Sequence, residues 1–121
     1  MNRRQILAAA AAAGVPVPAL AAAGPALAVF DERYAEARAF AAAQRRRGAV
    51  VIEAQADVGR LWYGPVRAAL ARGERPRIAG LTTYADFVVI RGCAAEARLR
   101  LSHGEIPRGP RSPVLVSWSI S

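Results

Sequence analysis

Polar side chains that can do chemistry follow three short apolar runs of the chain. Acids and hydroxyl groups bind divalent ions, and carboxylates or imidazole act as acids and bases. If the three runs are parallel strands, their carboxyl ends meet at one edge of a sheet, where ligands gather. The predicted binding residues at this edge are Glu53, Asp57, Thr82, Thr83, Tyr84, Asp86, His103 and Glu105.

This polar set supports a binding hypothesis and an enzyme hypothesis. Asp57, Asp86 and His103 would make a small hydrolase or a metal-dependent enzyme if they converged. None of them stands at the spacing of a known catalytic motif, and Asp57, Thr83 and Asp86 also fit helix starts, where such side chains cap free amide groups. We therefore favour a binding or accessory domain without catalytic activity, and no catalytic residue is assigned.

The supply of sulfur and imidazole ligands excludes several cofactors. The chain has one Cys, one His and one Met, too few for an iron–sulfur cluster, a haem attachment motif or a Cys-rich zinc site. We predict no metal and no cofactor. Cys93 alone also excludes an internal disulfide.

Cys93 is a candidate nucleophile only if it begins a helix, where a thiolate is stabilised. A phosphatase-like loop needs an arginine six positions after the cysteine, and Leu99 stands there. If residues 83–97 instead form one helix, Cys93 is a small core residue.

Periodicity and turn signals indicate the elements that would position these residues. They predict helices at 31–47 and 57–72 and strands at 49–52, 77–81, 99–103 and 114–120. Asp31 would cap the first helix, and Gly64-Pro65 would interrupt the second. In that second helix Trp62 falls on the apolar face, whereas Tyr63 points elsewhere and is a candidate contact residue.

The segment at 83–97 decides between two folds. Thr83-Tyr84-Ala85-Asp86 resembles a capping box at the start of a helix, although Phe87-Val88-Val89-Ile90 also suits a strand. With the helix, which we favour, the fold class is α/β, a small two-layer or three-layer sandwich with a mostly parallel sheet and an antiparallel C-terminal edge strand. Residues 49–52 would form the central strand. With a strand at 86–91, the order is that of a ferredoxin-like α+β fold.

The first twenty-eight residues have the composition of an export signal. A basic start precedes an uncharged, alanine-rich segment, and Ala26 and Ala28 are the small residues that signal peptidase requires before its cut. The start, Asn2-Arg3-Arg4-Gln5-Ile6-Leu7, resembles a twin-arginine (Tat) signal, with Arg3 and Arg4 as the recognition arginines. Asn2 and Ile6 depart from that pattern, in which Ser or Thr and Phe are commoner.

The resemblance implies export by the Tat translocase and removal of residues 1–28 by signal peptidase. Residues 29–121 would then be a single small domain in the periplasm or outside the cell, beginning at Val29. The apolar leader is long enough to cross a bilayer, but glycines and prolines interrupt it and alanine contributes little to insertion. The mature form is therefore not expected to span a membrane.

Charge gives a weaker indication of partners. The formal net charge is +8, and every basic residue is an arginine, which is typical of a GC-rich genome. Such a charge favours a small anionic ligand or a protein partner in the envelope. The arginines are scattered apart from a run at 45–47, and no recognition motif accompanies them, so we predict no nucleic-acid partner.

Overall fold

A computed structural model describes residues 26–54 and 58–121, which form a five-stranded sheet with helices on both faces. The strands are β1 (Leu27–Phe30), β2 (Val50–Glu53), β3 (Ile78–Thr83), β4 (Leu101–Ile106) and β5 (Leu115–Ile120). The helices are α1 (Ala35–Arg46), α2 (Val58–Leu61), α3 (Arg67–Ala71) and α4 (Tyr84–Glu96). A π-helical stretch, Trp62–Val66, joins α2 to α3, and we call this continuous run helical segment 58–71.

The strand order explains why the helices divide between the faces. The order is β2-β1-β3-β5-β4, with β1 parallel to both of its neighbours and β5 antiparallel to both of its own. The chain moves one way along the sheet through α1 and the other way through helical segment 58–71 and α4. Because parallel crossovers are right-handed, this reversal puts α1 on one face and the other helices on the opposite face.

Each face of the sheet therefore has its own apolar core. Ile78 and Trp118 belong to the core under helical segment 58–71 and α4, whereas Leu81 belongs to the core under α1. Gly80 lets the Trp118 ring lie across β3, since a Cβ atom at that position would overlap the ring. Trp118 Nε1 donates a hydrogen bond to Thr82 Oγ1 at 3.1 Å, which fixes the ring over the strand.

The predicted α/β class is confirmed, with a mixed sheet in which β1, β2 and β3 pair in parallel and β5 pairs antiparallel with β3 and β4, but two strands take different places. The apolar run at 49–52 forms β2, an edge strand and not the central one, and Val50 is 60% exposed. The last strand, β5, is antiparallel as predicted but lies inside the sheet, so β4 forms the edge. A hairpin after β4 returns β5 into the gap beside β3, and strand sequence does not specify that insertion.

The helix favoured at 83–97 is confirmed as α4. Thr83 Oγ1 accepts a hydrogen bond from the Asp86 amide at 3.4 Å, which is the predicted cap. The ferredoxin-like alternative is wrong, because residues 86–91 are helical. The cap predicted for the first helix is also wrong, since Tyr34 precedes α1 directly and Asp31 lies in the loop before it.

Strand β1 begins inside the segment that the sequence assigns to the leader. Leu27 and Ala28 pair with β2 on one side and with β3 on the other, and Ala28 and Val29 are fully buried. Residues 1–25, with Arg3 and Arg4, lie outside the described residues. Within the described ranges, none of the helices combines the length and the apolar character needed to cross a membrane.

Candidate functional site

The carboxyl ends of β1 and β3 form a topological switch point. The two strands are parallel neighbours, yet the chain leaves β1 toward α1 on one face and leaves β3 toward α4 on the other. Connections that diverge in this way open a crevice beyond the strand ends, where open α/β sheets hold their ligands. Asp31 follows β1 and Thr83 ends β3, so both lie at this crevice.

Asp31 is completely buried at the switch point and is joined to Arg33 by two side-chain hydrogen bonds. Arg33 donates from Nε to Oδ1 at 2.9 Å and from Nη2 to Oδ2 at 2.6 Å, and its amide donates to Oδ1 at 3.1 Å. This bidentate pairing orients the planar guanidinium. The Arg33 side chain is itself 55% exposed, and the nearby carboxylate raises the pKa of Arg33 above its ordinary value. Arg33 is thus a fixed cation that faces solvent.

A cleft of about 600 Å³ opens beside this ion pair. Four segments supply its walls: the loop after β1, the end of β2, the start of helical segment 58–71 and the first turns of α4. The residues of this switch-edge cleft are Arg33, Ala54, Val58, Gly59, Thr83, Ala85, Asp86 and Val89. Five of these lining residues are small and apolar, and the polar groups of Arg33, Thr83 and Asp86 form the rest of the surface.

Asp86 is the acidic group of the switch-edge cleft. It lies in the first turn of α4, where its amide bonds to Thr83. Burial raises the pKa of the Asp86 carboxyl, and the charge of Asp31 raises it further, while Thr83 and Arg33 act in the opposite direction. Since Arg33 is already bonded to Asp31, the site contains two carboxyl groups and one guanidinium.

Glu53, at the end of β2, belongs to a separate acidic pair. It is exposed and lies against Glu32, and the hydrogen bond and the charge repulsion between the two raise the pKa of Glu53. Neither of these glutamates lines the cleft.

The structure brings only part of the predicted site together. Thr83 and Asp86 line the cleft, whereas Thr82 is buried beneath Trp118 and accepts its indole hydrogen bond. Tyr84 is exposed on α4, with its ring centre 6.0 Å from that of Phe87. Asp57 lies outside the described residues.

His103 and Glu105 lie within β4 and not in the loop beyond it. His103 pairs in register with Trp118, and its ring centre is 4.8 Å from that of Phe87. Strand β5 separates β4 from β3, and neither His103 nor Glu105 lines the cleft.

Sequence reasoning missed Asp31 and Arg33 as site residues. Leu27–Phe30 is a short apolar run followed by an acid, the same signal that marked the other strand ends. That signal was hidden because Ala26 and Ala28 also fit a cleavage site, which assigned Leu27 and Ala28 to the leader, and because Asp31 was interpreted as a helix cap.

Other candidates of the sequence take structural positions. Cys93 is buried inside α4, and burial together with the charge of Glu96 raises the pKa of its thiol. Tyr63 is exposed, with the Arg67 guanidinium 5.5 Å from its ring centre. In residues 26–54 and 58–121, no three or more His, Cys, Asp or Glu side chains are grouped so that they could hold a metal ion.

Comparisons of the chain with protein-family models, with curated proteins and with solved structures find no match. Function is therefore inferred from the residues of the cleft.

Proposed function

We propose that this protein is a small exported binding domain of the bacterial cell envelope, without catalytic activity, and that its switch-edge cleft binds a small organic cation with an apolar body. The observation that carries the proposal is the position of Asp86, a partly buried carboxyl group beside an apolar wall. A ligand that places an ammonium group on Asp86 and its hydrocarbon part on Val58 and Val89 would match both features.

Charge supports a cation over an anion at this cleft. The guanidinium of Arg33 is already engaged by Asp31 at 2.6 Å, so much of its charge is offset. Asp86 has no ion pair among the described residues. A bound ammonium group would therefore supply the missing partner of Asp86, and opposite charges at such close range favour each other most where water is partly excluded.

A binding role agrees better with the lining of the cleft than hydrolysis does. The lining residues include Asp86 and the hydroxyl of Thr83, but that hydroxyl caps α4 and no imidazole stands beside it. A nucleophile needs an adjacent base to be activated. His103, the single histidine of the chain, packs against Phe87.

Three compounds with one carbon skeleton and different charges test the ligand class. We would titrate the full chain at neutral pH with isoamylamine, isoamyl alcohol and isovalerate, and follow amide chemical shifts by NMR. We expect the amine to bind most tightly and to shift Gly59, Asp86 and Val89. Equal binding of the three compounds, preference for isovalerate, or no binding of the amine would contradict the proposal.

A pair of variants in α4 separates the role of Asp86 from a general effect of charge. Asp86→Asn should weaken amine binding about fivefold, the loss of about 1 kcal/mol expected for a partly exposed ion pair. Glu96→Gln changes the net charge equally at the other end of α4 and should leave the affinity unchanged. Equal losses in both variants would show that Asp86 has no specific role.

Export is the second part of the proposal and rests on the leader. The Tat translocase and signal peptidase would be its transient partners, and the periplasm or the exterior its destination. Replacing Arg3 and Arg4 with lysine should retain the precursor in the cytoplasm, as shown by fractionation and immunoblotting. Continued export of that variant would point to the general secretory route.

A further inference from the structure

A second cleft, rich in arginine, lies at the edge of the sheet opposite to the switch point. Its volume is about 440 Å³, and its lining residues are Arg75, Arg77, Arg98, Arg100 and Ser121. We call it the basic cleft. It shares no residue with the switch-edge cleft, so a ligand bound here would be independent of the proposed function.

Main-chain hydrogen bonds fix the central part of the basic cleft. Arg77 precedes β3, Arg100 precedes β4, and Ser121 follows β5 between them. The Ser121 amide donates to the Arg100 carbonyl at 3.1 Å, and the Arg77 carbonyl accepts a hydrogen bond from the Ala26 amide at 2.9 Å. Neighbouring strands lie about 4.8 Å apart, so the backbones of Arg77 and Arg100 are separated by roughly 10 Å.

The four guanidinium groups have no acidic partner among the described residues. The ion pairs there use Arg33, Arg72 and Arg108. Glu74 is the acid nearest in sequence, and Arg72 already holds it through Nε at 2.8 Å and Nη2 at 3.2 Å. A carboxylate on Ser121, the last residue of the sequence, would offset only one of the four cations.

Arg98 follows α4 at the position where α1 and α3 are followed by a glycine. Gly48 after α1 and Gly73 after α3 have φ angles of 89° and 78°, and Arg98 after α4 has a φ angle of 57°. The hydrogen bonds agree as well, because the amides of Gly48, Gly73 and Arg98 each bond to the carbonyl three residues earlier. A residue with a Cβ atom is strained in this left-handed region, and glycine is the usual choice. The chain thus keeps an arginine at a position where glycine would be more stable.

We propose that the basic cleft binds an anion that carries two adjacent phosphate groups. Arginine forks donate paired hydrogen bonds to phosphate oxygens, so two phosphates would use the four guanidinium groups in pairs. The phosphates belong either to a soluble molecule or to a lipid head group. A GC-rich genome would account for the choice of arginine over lysine, but it would not account for four arginines that line one cleft without an acid.

Calorimetry on the full chain at low salt tests the site with pyrophosphate and inorganic phosphate as probes. Pyrophosphate should bind at least about tenfold more tightly than phosphate, since it engages more of the arginines. The double variant Arg77→Gln/Arg100→Gln should lose about tenfold or more in pyrophosphate affinity. The matched control Arg46→Gln/Arg111→Gln removes the same charge elsewhere and should stay within about twofold. Equal losses in the two double variants, or no binding of pyrophosphate, would overturn the proposal.

Arg98→Gly tests the site independently, because relief of backbone strain should raise stability whereas loss of the charge should weaken binding. The variant should melt at a higher temperature than the wild type, since glycine relieves the positive φ, and yet bind pyrophosphate more weakly. Higher stability with unchanged affinity would exclude Arg98 from the site.

Vesicle sedimentation distinguishes the two sources of phosphate. Vesicles of phosphatidylcholine with a lipid pyrophosphate, compared with phosphatidylcholine alone, should retain the wild type and release Arg77→Gln/Arg100→Gln if the ligand is a lipid. Binding of soluble pyrophosphate without retention on vesicles would assign the site to a soluble ligand. Retention of both proteins alike would contradict the lipid arm.

Discussion

At Gly80 the absence of a side chain determines how the core is packed. The indole of Trp118 occupies the space where a Cβ atom would stand, and its Nε1 bonds to Thr82. Trp118 is buried, so its ring could shift only by displacing its neighbours in the core. Gly80→Ala should therefore lower the free energy of unfolding by about 1–3 kcal/mol, the usual cost of overpacking.

Gly92 provides the matched control for Gly80. It lies in α4, and no atom stands within 4 Å of the position that its Cβ would take. Gly92→Ala should raise the free energy of unfolding by about 0.5–1 kcal/mol, because alanine favours the helix. Urea denaturation measures both variants, and equal effects of the two would contradict the packing argument at Gly80.

Asp86 links the cleft to the pH dependence of stability. Burial and Asp31 raise the folded-state pKa of Asp86 above its unfolded value. The protonated form is therefore favoured in the fold, and its contribution to stability is complete below the ordinary pKa of about 3.9 and is lost as the pH rises through the raised value. Asp86→Asn, which cannot ionise, should melt above the wild type at pH 7, and the difference should close near pH 3.

Circular dichroism melts at the two pH values test this expectation, with Glu96→Gln as the control. A lower melting temperature of Asp86→Asn at pH 7 would mean that the favourable position of an acid in the first turn of a helix outweighs desolvation. Amine binding should depend on the same ionisation. The affinity should fall as the pH decreases through the pKa of Asp86, because the amine binds the ionised carboxyl.

At the scale of elements, α4 shows which parts of a sequence specify structure locally. Its outer side is unusually apolar, with Val88 and Val89 exposed, and this is why residues 87–90 also suited a strand. The cap at Thr83 and the helical spacing of Phe87 and Ile90 favoured the helix, and both signals are local. For this helix the local signals were sufficient, and the element was predicted correctly.

Substitutions at Thr83 and Val89 test the cap of α4 and its helical conformation. Val89→Pro should destabilise the domain by about 3 kcal/mol or more, because proline breaks the interior of a helix. Thr83→Ala should cost about 1 kcal/mol through loss of the cap. Val89→Ala is the control for side-chain loss and should be nearly neutral, since Val89 is 47% exposed. A mild effect of Val89→Pro in urea denaturation would contradict the helix.

The segments that form strands were easier to predict than their places in the sheet. The apolar sequence of β2 predicts a buried strand, yet β2 lies at the edge of the sheet. Strand β5 lies between β3 and β4. These positions follow from the direction of each crossover and from the hairpin after β4, which are tertiary choices. The cleft was predicted in part for a different reason. Thr83 and Asp86 were identified at a strand end, but Arg33 follows β1, which overlaps the predicted leader.

At the scale of the whole molecule, the fold and the predicted export signal overlap at residues 26–28. Sequence alone predicts cleavage after Ala28, which would divide β1 and remove Leu27 and Ala28 from between β2 and β3. Each interstrand hydrogen bond lost contributes about 1 kcal/mol, and the whole domain is stable by about 5–15 kcal/mol. The fold therefore favours a cleavage site upstream of β1.

Ala19 and Ala21 offer the same pair of small residues seven positions earlier in the sequence. We expect the mature protein to begin at Ala22, so that β1 stays complete, and intact-mass analysis of the envelope fraction identifies its N-terminus. Two purified chains provide the control: one that begins at Ala22 should unfold cooperatively on heating, and one that begins at Val29 should melt far lower or fail to fold. A mature protein that begins at Val29 and matches the longer chain in stability would show that Phe30 and the neighbouring strands complete the sheet without Leu27 and Ala28.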